Sequence, residues 1–346
     1  MSEKPELIYD LQALDFARRG KHHYQLAFPL DSNWGYSLVP ITIINGLRDA
    51  QNHDGEHPGI AVFGGTHGNE WEGQIAIKRL CGELDPALIS GRVILIPQLS
   101  ETACNVNSRV SGQDGVNMNR AFPGDAAGTV SKRIAHFIKS RVFPQVRVVI
   151  DAHSGGNEAS FPLCTSFHPL TNAAQFRETL QVARLFDTPF IFVYSRQMAS
   201  GLLTDEAEDE GKITIGGEFG FGGGVNPQGV RHVFDGLRNV LRHYKMMDGD
   251  VTKIDVERQS APRLVQAPNL VDYIPCPRDG VWEPLLRPGN EVRAGELIGR
   301  LHDFSDHASL PLEMRAHRSG VVIALFFGAI CRKGLTLFVI GEDLAA

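Results

Sequence analysis

The sequence predicts an α/β catalytic unit with a largely parallel sheet, followed by an all-β module. Two observations carry that expectation. Through residue 150, short apolar runs bounded by glycine or proline alternate with amphipathic stretches of helical period. Beyond residue 269 the helical period disappears, and short β-rich runs with frequent turns replace it. At 346 residues the chain is long enough for two domains. The expected division is 1–252 and 253–346, with the charged, proline-bearing stretch 248–269 as the junction.

Residues 11–16 carry a short helical pattern, and 24–28 and 37–45 read as strands. The polar stretch 49–58 reads as a surface loop. The run Gly59-Ile60-Ala61-Val62-Phe63 is a buried strand, and the helix beginning near Gln74 follows it. Between them lies Gly64-Gly65-Thr66-His67-Gly68-Asn69-Glu70. Its glycines let the backbone turn sharply, which sets His67 at the strand's carboxyl end and Glu70 in the first helical turn. Open α/β sheets build their sites along this edge. An imidazole and a carboxylate three residues apart can converge there on one metal ion. Zinc accepts such a mixture, and a catalytic zinc site takes three protein ligands. The third ligand is predicted at the end of another strand. The run 146–150 ends in Asp151-Ala152-His153, and His153 is that ligand. Taken singly, both histidines have an ordinary reading as hydrogen-bonded loop residues, and Glu70 as a helix-start acid. Together, each beside glycine at a strand end, they point to a metal centre.

The run 91–97 is a further buried strand. The stretch 99–124 is polar and aperiodic, and long irregular segments in compact domains tend to be functional. It holds Arg109, Asn117, Asn119 and Arg120. An arginine fork can grip a substrate carboxylate, which suits Arg120. A second arginine can stabilise an oxyanion, which suits Arg109. Helices are predicted over 129–140, 172–187 and 230–244, with a strand over 190–194. The strand 212–217 runs into Glu218, a carboxylate at the same sheet edge, where it can serve as general base or remain a solvated acid. The glycines at 220–224 lack the GK[ST] of a phosphate-binding loop, which excludes nucleotide binding there.

In the last segment, strands are expected over 271–274, 280–286, 291–292, 296–301, 320–326 and 334–340. Residues 287–299 are similar to the turn-rich pattern of biotinyl and lipoyl barrels, but lack the Asp-Lys hairpin that carries a lipoyl group. The module is therefore expected to wall one side of the cleft.

Lys plus Arg number 34 and Asp plus Glu 40, so the net charge is 34 − 40 = −6. That balance argues against a general nucleic-acid or membrane-surface binder. The five cysteines form no CxxC pair and read as free thiols in a reducing compartment. With no apolar signal core at the N-terminus and no stretch able to span a bilayer, a soluble cytoplasmic protein is expected. A homo-oligomer is left open.

His67-Gly68-Asn69-Glu70, Asn119-Arg120, Asp151-Ala152-His153 and Glu218-Phe219-Gly220 together resemble the succinylglutamate desuccinylase/aspartoacylase family, related to the zinc carboxypeptidases. The resemblance spans nearly the whole chain. It implies a mixed-sheet αβα sandwich of zinc-carboxypeptidase type with a C-terminal all-β, barrel-like domain. It also implies one Zn2+ held by His67, Glu70 and His153. Asn119 and Arg120 would bind the substrate carboxylate, Arg109 would polarise the scissile carbonyl, and Glu218 would be the general base. Within the family, Gly20-Lys21-His22-His23-Tyr24, Trp34-Gly35-Tyr36 and the 117–124 segment are similar to members that deacetylate N-acetyl-2,4-diaminobutyrate in ectoine breakdown. The implied partner is therefore a small N-acyl amino acid. An acid is then needed to pair with the substrate amine, with Glu72, Asp114 and Glu158 as candidates. A peptide-cleaving metallocarboxypeptidase and a non-enzymatic metal- or ligand-binding protein are the rival readings.

Overall fold

The computed structural model describes residues 4–32, 34–48 and 57–345. Its centre is a mixed sheet in which Arg92–Ile96, Ile60–Phe63, Val148–Asp151 and Ile213–Glu218 run parallel as neighbours. Tyr36–Asn45 pairs antiparallel with Arg92–Ile96 on one side, and Gly20–Pro29 continues outward from it. On the other side Cys164–Phe167 runs antiparallel to Ile213–Glu218, followed by Phe190–Tyr194.

The central strands are apolar on both faces because both faces are covered. Ile60 and Val62 point into one core with Val93, Leu95, Val148 and Ile150. Helices Trp71–Glu83, Ala173–Arg184 and Pro227–His243 close that side through Ile77, Leu80, Leu180, Val233 and Leu237. Ala61 and Phe63 point the opposite way, with Ile94, Ile96 and Val149. Helices Val130–Phe137 and Leu203–Asp209 cover them through Ile134, Leu203 and Ala207. The result is an αβα sandwich.

The sheet continues into the C-terminal segment. Arg263–Ala267 adds parallel to Phe190–Tyr194, then Thr336–Asp343 adds antiparallel, then Gly320–Phe326. Arg263–Ala267 falls inside the stretch read as a linker. Its flanking charges and prolines hid a run in which Leu264, Val265 and Ala267 are buried. A separate antiparallel sheet, ordered Leu312–Arg315, Leu297–His302, Gly280–Pro284, Ile330–Cys331, packs around Trp282, Ile298, Leu301 and Phe338. Leu312–Arg315 is mostly exposed and Ile330–Cys331 is only two residues long, so neither shows in the sequence pattern.

Two other expectations change. The helix over 11–16 is one 3-10 turn, Leu11–Ala13, and Asp10 accepts from the Gln12 N–H at its start. Glu70 is the residue before the helix Trp71–Glu83, with extended backbone, and not part of its first turn. Of the loop expected at 49–58, residues 49–56 lie outside the described residues. No described helix is long and apolar enough to cross a membrane.

Candidate active site

The parallel register sets Phe63 beside Asp151, so the chain leaves both strands at the same level of the same edge. The turn after Phe63 needs glycine for two reasons. Gly65 has a φ of +63°, in the left-handed region. At Gly68 a Cβ would stand 2.1 Å from the Ala103 carbonyl carbon, so only a bare backbone can lie against that segment. This path carries His67 back over the sheet edge. Glu70 stands at the N-cap position with extended backbone, yet its carboxylate makes no cap hydrogen bond and is taken up by the histidines instead.

Glu70 bridges the two imidazoles. Its Oε1 lies 2.8 Å from His67 Nδ1 and its Oε2 2.8 Å from His153 Nδ1. The Ser154 backbone N–H donates to the same Oε2 at 3.1 Å. His67 is 3 % exposed and Glu70 2 %. The outer nitrogens are anchored too: His67 Nε2 lies 3.0 Å from Asn117 Oδ1, and His153 Nε2 lies 2.8 Å from Asp151 Oδ2. Thr66 Oγ1 donates to the other Asp151 oxygen at 2.7 Å.

The charges follow from this packing. Burial alone would raise the Glu70 pKa, but the charges of His67 and His153 beside it hold the carboxyl below its ordinary range. Burial lowers His67. Burial opposes protonation of His153 as well, yet Asp151 and Glu70 outweigh it and hold its pKa well above the ordinary histidine value. One nitrogen of each histidine and one Glu70 oxygen lie within 4.8 Å of one another. Two imidazole nitrogens and one carboxylate, each imidazole fixed from behind by an oxygen, make a donor set that fits zinc.

Glu218 ends the strand Ile213–Glu218. It is tied to the centre through the backbone, since His153 N–H donates to Gly217 O at 3.1 Å and Phe219 N–H to His153 O at 3.0 Å. Its Oε2 is buried and has no hydrogen-bond partner among the described residues. Burial, then the negative charge of Glu70, push its pKa up to about 8. Arg109 reaches in from the irregular 99–124 segment, its NH1 3.3 Å from Glu70 Oε1 and 3.4 Å from Glu158 Oε2.

His67, Glu70, Arg109, Asn119, Arg120, His153, Glu158 and Glu218 all line one cavity of about 340 Å³. Phe161, Phe192, Tyr194 and Leu202 supply apolar wall from the α/β unit, and Leu325, Phe326 and Phe338 supply it from the C-terminal strands. Arg120 is exposed at this surface, and its NH1 donates to the Asn119 carbonyl at 2.6 Å. Asn119 is 7 % exposed. Its Oδ1 accepts the Leu203 N–H at 3.0 Å, and its Nδ2 lies 3.3 Å from His153 Nε2.

Of the three acids considered for a substrate amine, only Glu158 lines the cavity. Glu72 is 1 % exposed and accepts from the Ser154 hydroxyl and, at 2.8 Å, from the Asn226 N–H. Asp114 accepts the backbone N–H and the hydroxyl of Ser131, both at 2.9 Å, at the start of helix Val130–Phe137. Asn117 and Asp151 stand in the sequence motifs above, but neither has a role assigned there. Asp151 had a usable signal, because a charge closing an apolar strand needs a buried partner. A second buried cluster, His168 with Glu208 at 2.7 Å and Asp205 at 3.7 Å, is separate from this cavity's lining.

Residues 56–244 match the family model described as the succinylglutamate desuccinylase/aspartoacylase catalytic domain. The N-alpha-acetyl-L-2,4-diaminobutyric acid deacetylase of Halomonas elongata is 32 % identical over 333 residues, 95 % of this chain and 94 % of that one. A crystal structure of a succinylglutamate desuccinylase/aspartoacylase from Rhodobacter sphaeroides superposes with a TM-score of 0.89 at 32 % identity, covering 96 % of this chain and 98 % of the other. The product-bound ectoine utilization protein EutE (DoeB) from Ruegeria pomeroyi gives 0.86 at 27 % identity, with 95 % and 97 % covered.

Proposed function

Because the chain belongs to the succinylglutamate desuccinylase/aspartoacylase family, we propose that it hydrolyses the amide bond of a small N-acyl amino acid. The proposed substrate is N-acetyl-L-2,4-diaminobutyrate, and the products are acetate and diaminobutyrate. The observation that carries this reading is the convergence of Arg109 and Glu218 on His67, Glu70 and His153 inside one cavity. Simple metal binding has no need of a buried carboxylate and a guanidinium beside the ligands.

His67 Nδ1, His153 Nδ1 and a Glu70 oxygen would hold one zinc ion. Zinc held there would supply Lewis acidity and would lower the pKa of a water to roughly 7. The positive charge of a bound zinc would favour the ionised form of Glu218, which then accepts the proton of the attacking water and returns it to the leaving amine. Its free Oε2 leaves one oxygen available for that exchange. The Arg109 guanidinium meets the carbonyl oxygen as negative charge develops on it. Arg120, exposed to the cavity, grips the amino-acid carboxylate. Asn119, which lines the cavity with its Oδ1 held by the Leu203 N–H, shares that carboxylate with Arg120 through its amide nitrogen.

The division of labour we propose is catalysis by 1–252 and closure of the cleft by 253–346. The five cysteines are unbridged and buried, which suits a cytoplasmic enzyme. Acetate release from N-acetyl-diaminobutyrate and cleavage of a blocked tetrapeptide, compared on the zinc-loaded protein, test the reading. Acetate release with no tetrapeptide cleavage is expected. Efficient tetrapeptide cleavage would move the protein to the carboxypeptidase class.

A further inference from the structure

Among the described residues, three carboxylates line the cavity: Glu70, Glu158 and Glu218. Two are committed. Each Glu70 oxygen faces an imidazole nitrogen at 2.8 Å. Glu218 is bound through the backbone to His153 and belongs to the reacting face. Glu158 differs. Its side chain is 44 % exposed, and its Oε2 stands 3.4 Å from Arg109, longer than a tight charge-assisted bond. Its backbone is pinned on both sides. The Glu158 N–H donates to Gly155 O at 3.2 Å, and its carbonyl accepts the Phe327 N–H at 2.9 Å, just past the strand Gly320–Phe326. The carboxylate is thus held at the seam between the α/β unit and the C-terminal strands, facing the cavity.

We infer that Glu158 selects the substrate's side chain by receiving the ammonium group of an N-acyl diamino acid. The inference rests on the deacylase reading above. Arg120 meets the α-carboxylate, Arg109 the scissile carbonyl and Glu158 the side-chain cation, so each charged or polarised group of the substrate finds one partner. The methylenes between them pack on Phe161 and Phe192, which line the same cavity. Selection is also by exclusion. An N-acyl aspartate or glutamate would bring a second carboxylate against Glu158, and like charges in a confined site repel.

The test compares kcat/KM for Nα-acetyl-2,4-diaminobutyrate with that for Nα-acetyl-2-aminobutyrate, which lacks the amine. The parent is expected to prefer the amine substrate. Glu158→Gln, nearly isosteric, is expected to lower that preference ratio by about tenfold, mainly through KM. Glu158→Asp keeps the charge and is expected to keep the preference, which separates loss of charge from loss of fold. An unchanged ratio in Glu158→Gln, or an equal fall on both substrates through disturbance of Arg109, overturns the inference. A parent that cleaves both substrates without preferring the amine overturns it too, and leaves the deacylase reading standing. A parent that cleaves neither overturns both.

Discussion

His153 Nε2 lies 2.8 Å from the carboxylate of Asp151, two residues earlier at the end of the same strand. Asp151 is fully buried and takes a second hydrogen bond from Thr66. It therefore sets the orientation of the His153 ring and keeps Nδ1 turned toward Glu70.

Asp151→Asn keeps the shape and removes the charge. It is expected to weaken zinc binding by about 10- to 100-fold, as loss of an outer-shell partner does elsewhere. Competition with a chelator of known affinity measures this directly. An unchanged affinity would leave Asp151 a purely structural residue.

Glu218→Gln is expected to keep metal and substrate affinity while kcat falls about 10²-fold or more. The raised pKa gives a second readout in metal-free protein. A carboxyl whose pKa rises on folding holds its proton more tightly in the folded state. Its contribution to stability is full below the ordinary glutamate range and is lost as pH rises through about 8. Thermal melts of metal-free parent and Glu218→Gln at pH 5 and pH 9 (about the two ends of that window) should show the parent losing stability relative to the variant as pH rises. Parallel pH profiles would remove the perturbed carboxyl.

Arg120→Lys replaces a fork with a point charge and is expected to lower kcat/KM on the acid substrate. The C-terminal amide of the same substrate, which gives the fork no carboxylate, is expected to be a poor substrate for both proteins. Equal rates on acid and amide in the parent would take Arg120 out of the carboxylate site.

Much of this arrangement was legible in the chain because its parts are local. The strand Ile60–Phe63 and the segment to Glu70 announce themselves by an apolar run stopped at glycine, and Val148–Asp151 does the same for His153. Glu218 stood out as an acid after an apolar strand. Three things were not legible. The strand Arg263–Ala267 depends on its partner Phe190–Tyr194, far away in sequence, and propensity cannot report such pairing. Choosing Glu158 over Glu72 and Asp114 required knowing that Glu72 is bound by Ser154 and Asn226, and Asp114 by Ser131, at sequence distances no local pattern spans. Asn117 was one polar residue in a polar loop until the fold brought it to His67.

Deacylation is expected to depend on a metal held by His67, Glu70 and His153. Elemental analysis of the parent and of His153→Ala, purified side by side and assayed for acetate release from N-acetyl-diaminobutyrate, tests it most directly. One zinc per chain is expected in the parent, with loss of both metal and activity in the variant. Unchanged metal content together with unchanged activity in His153→Ala would contradict it.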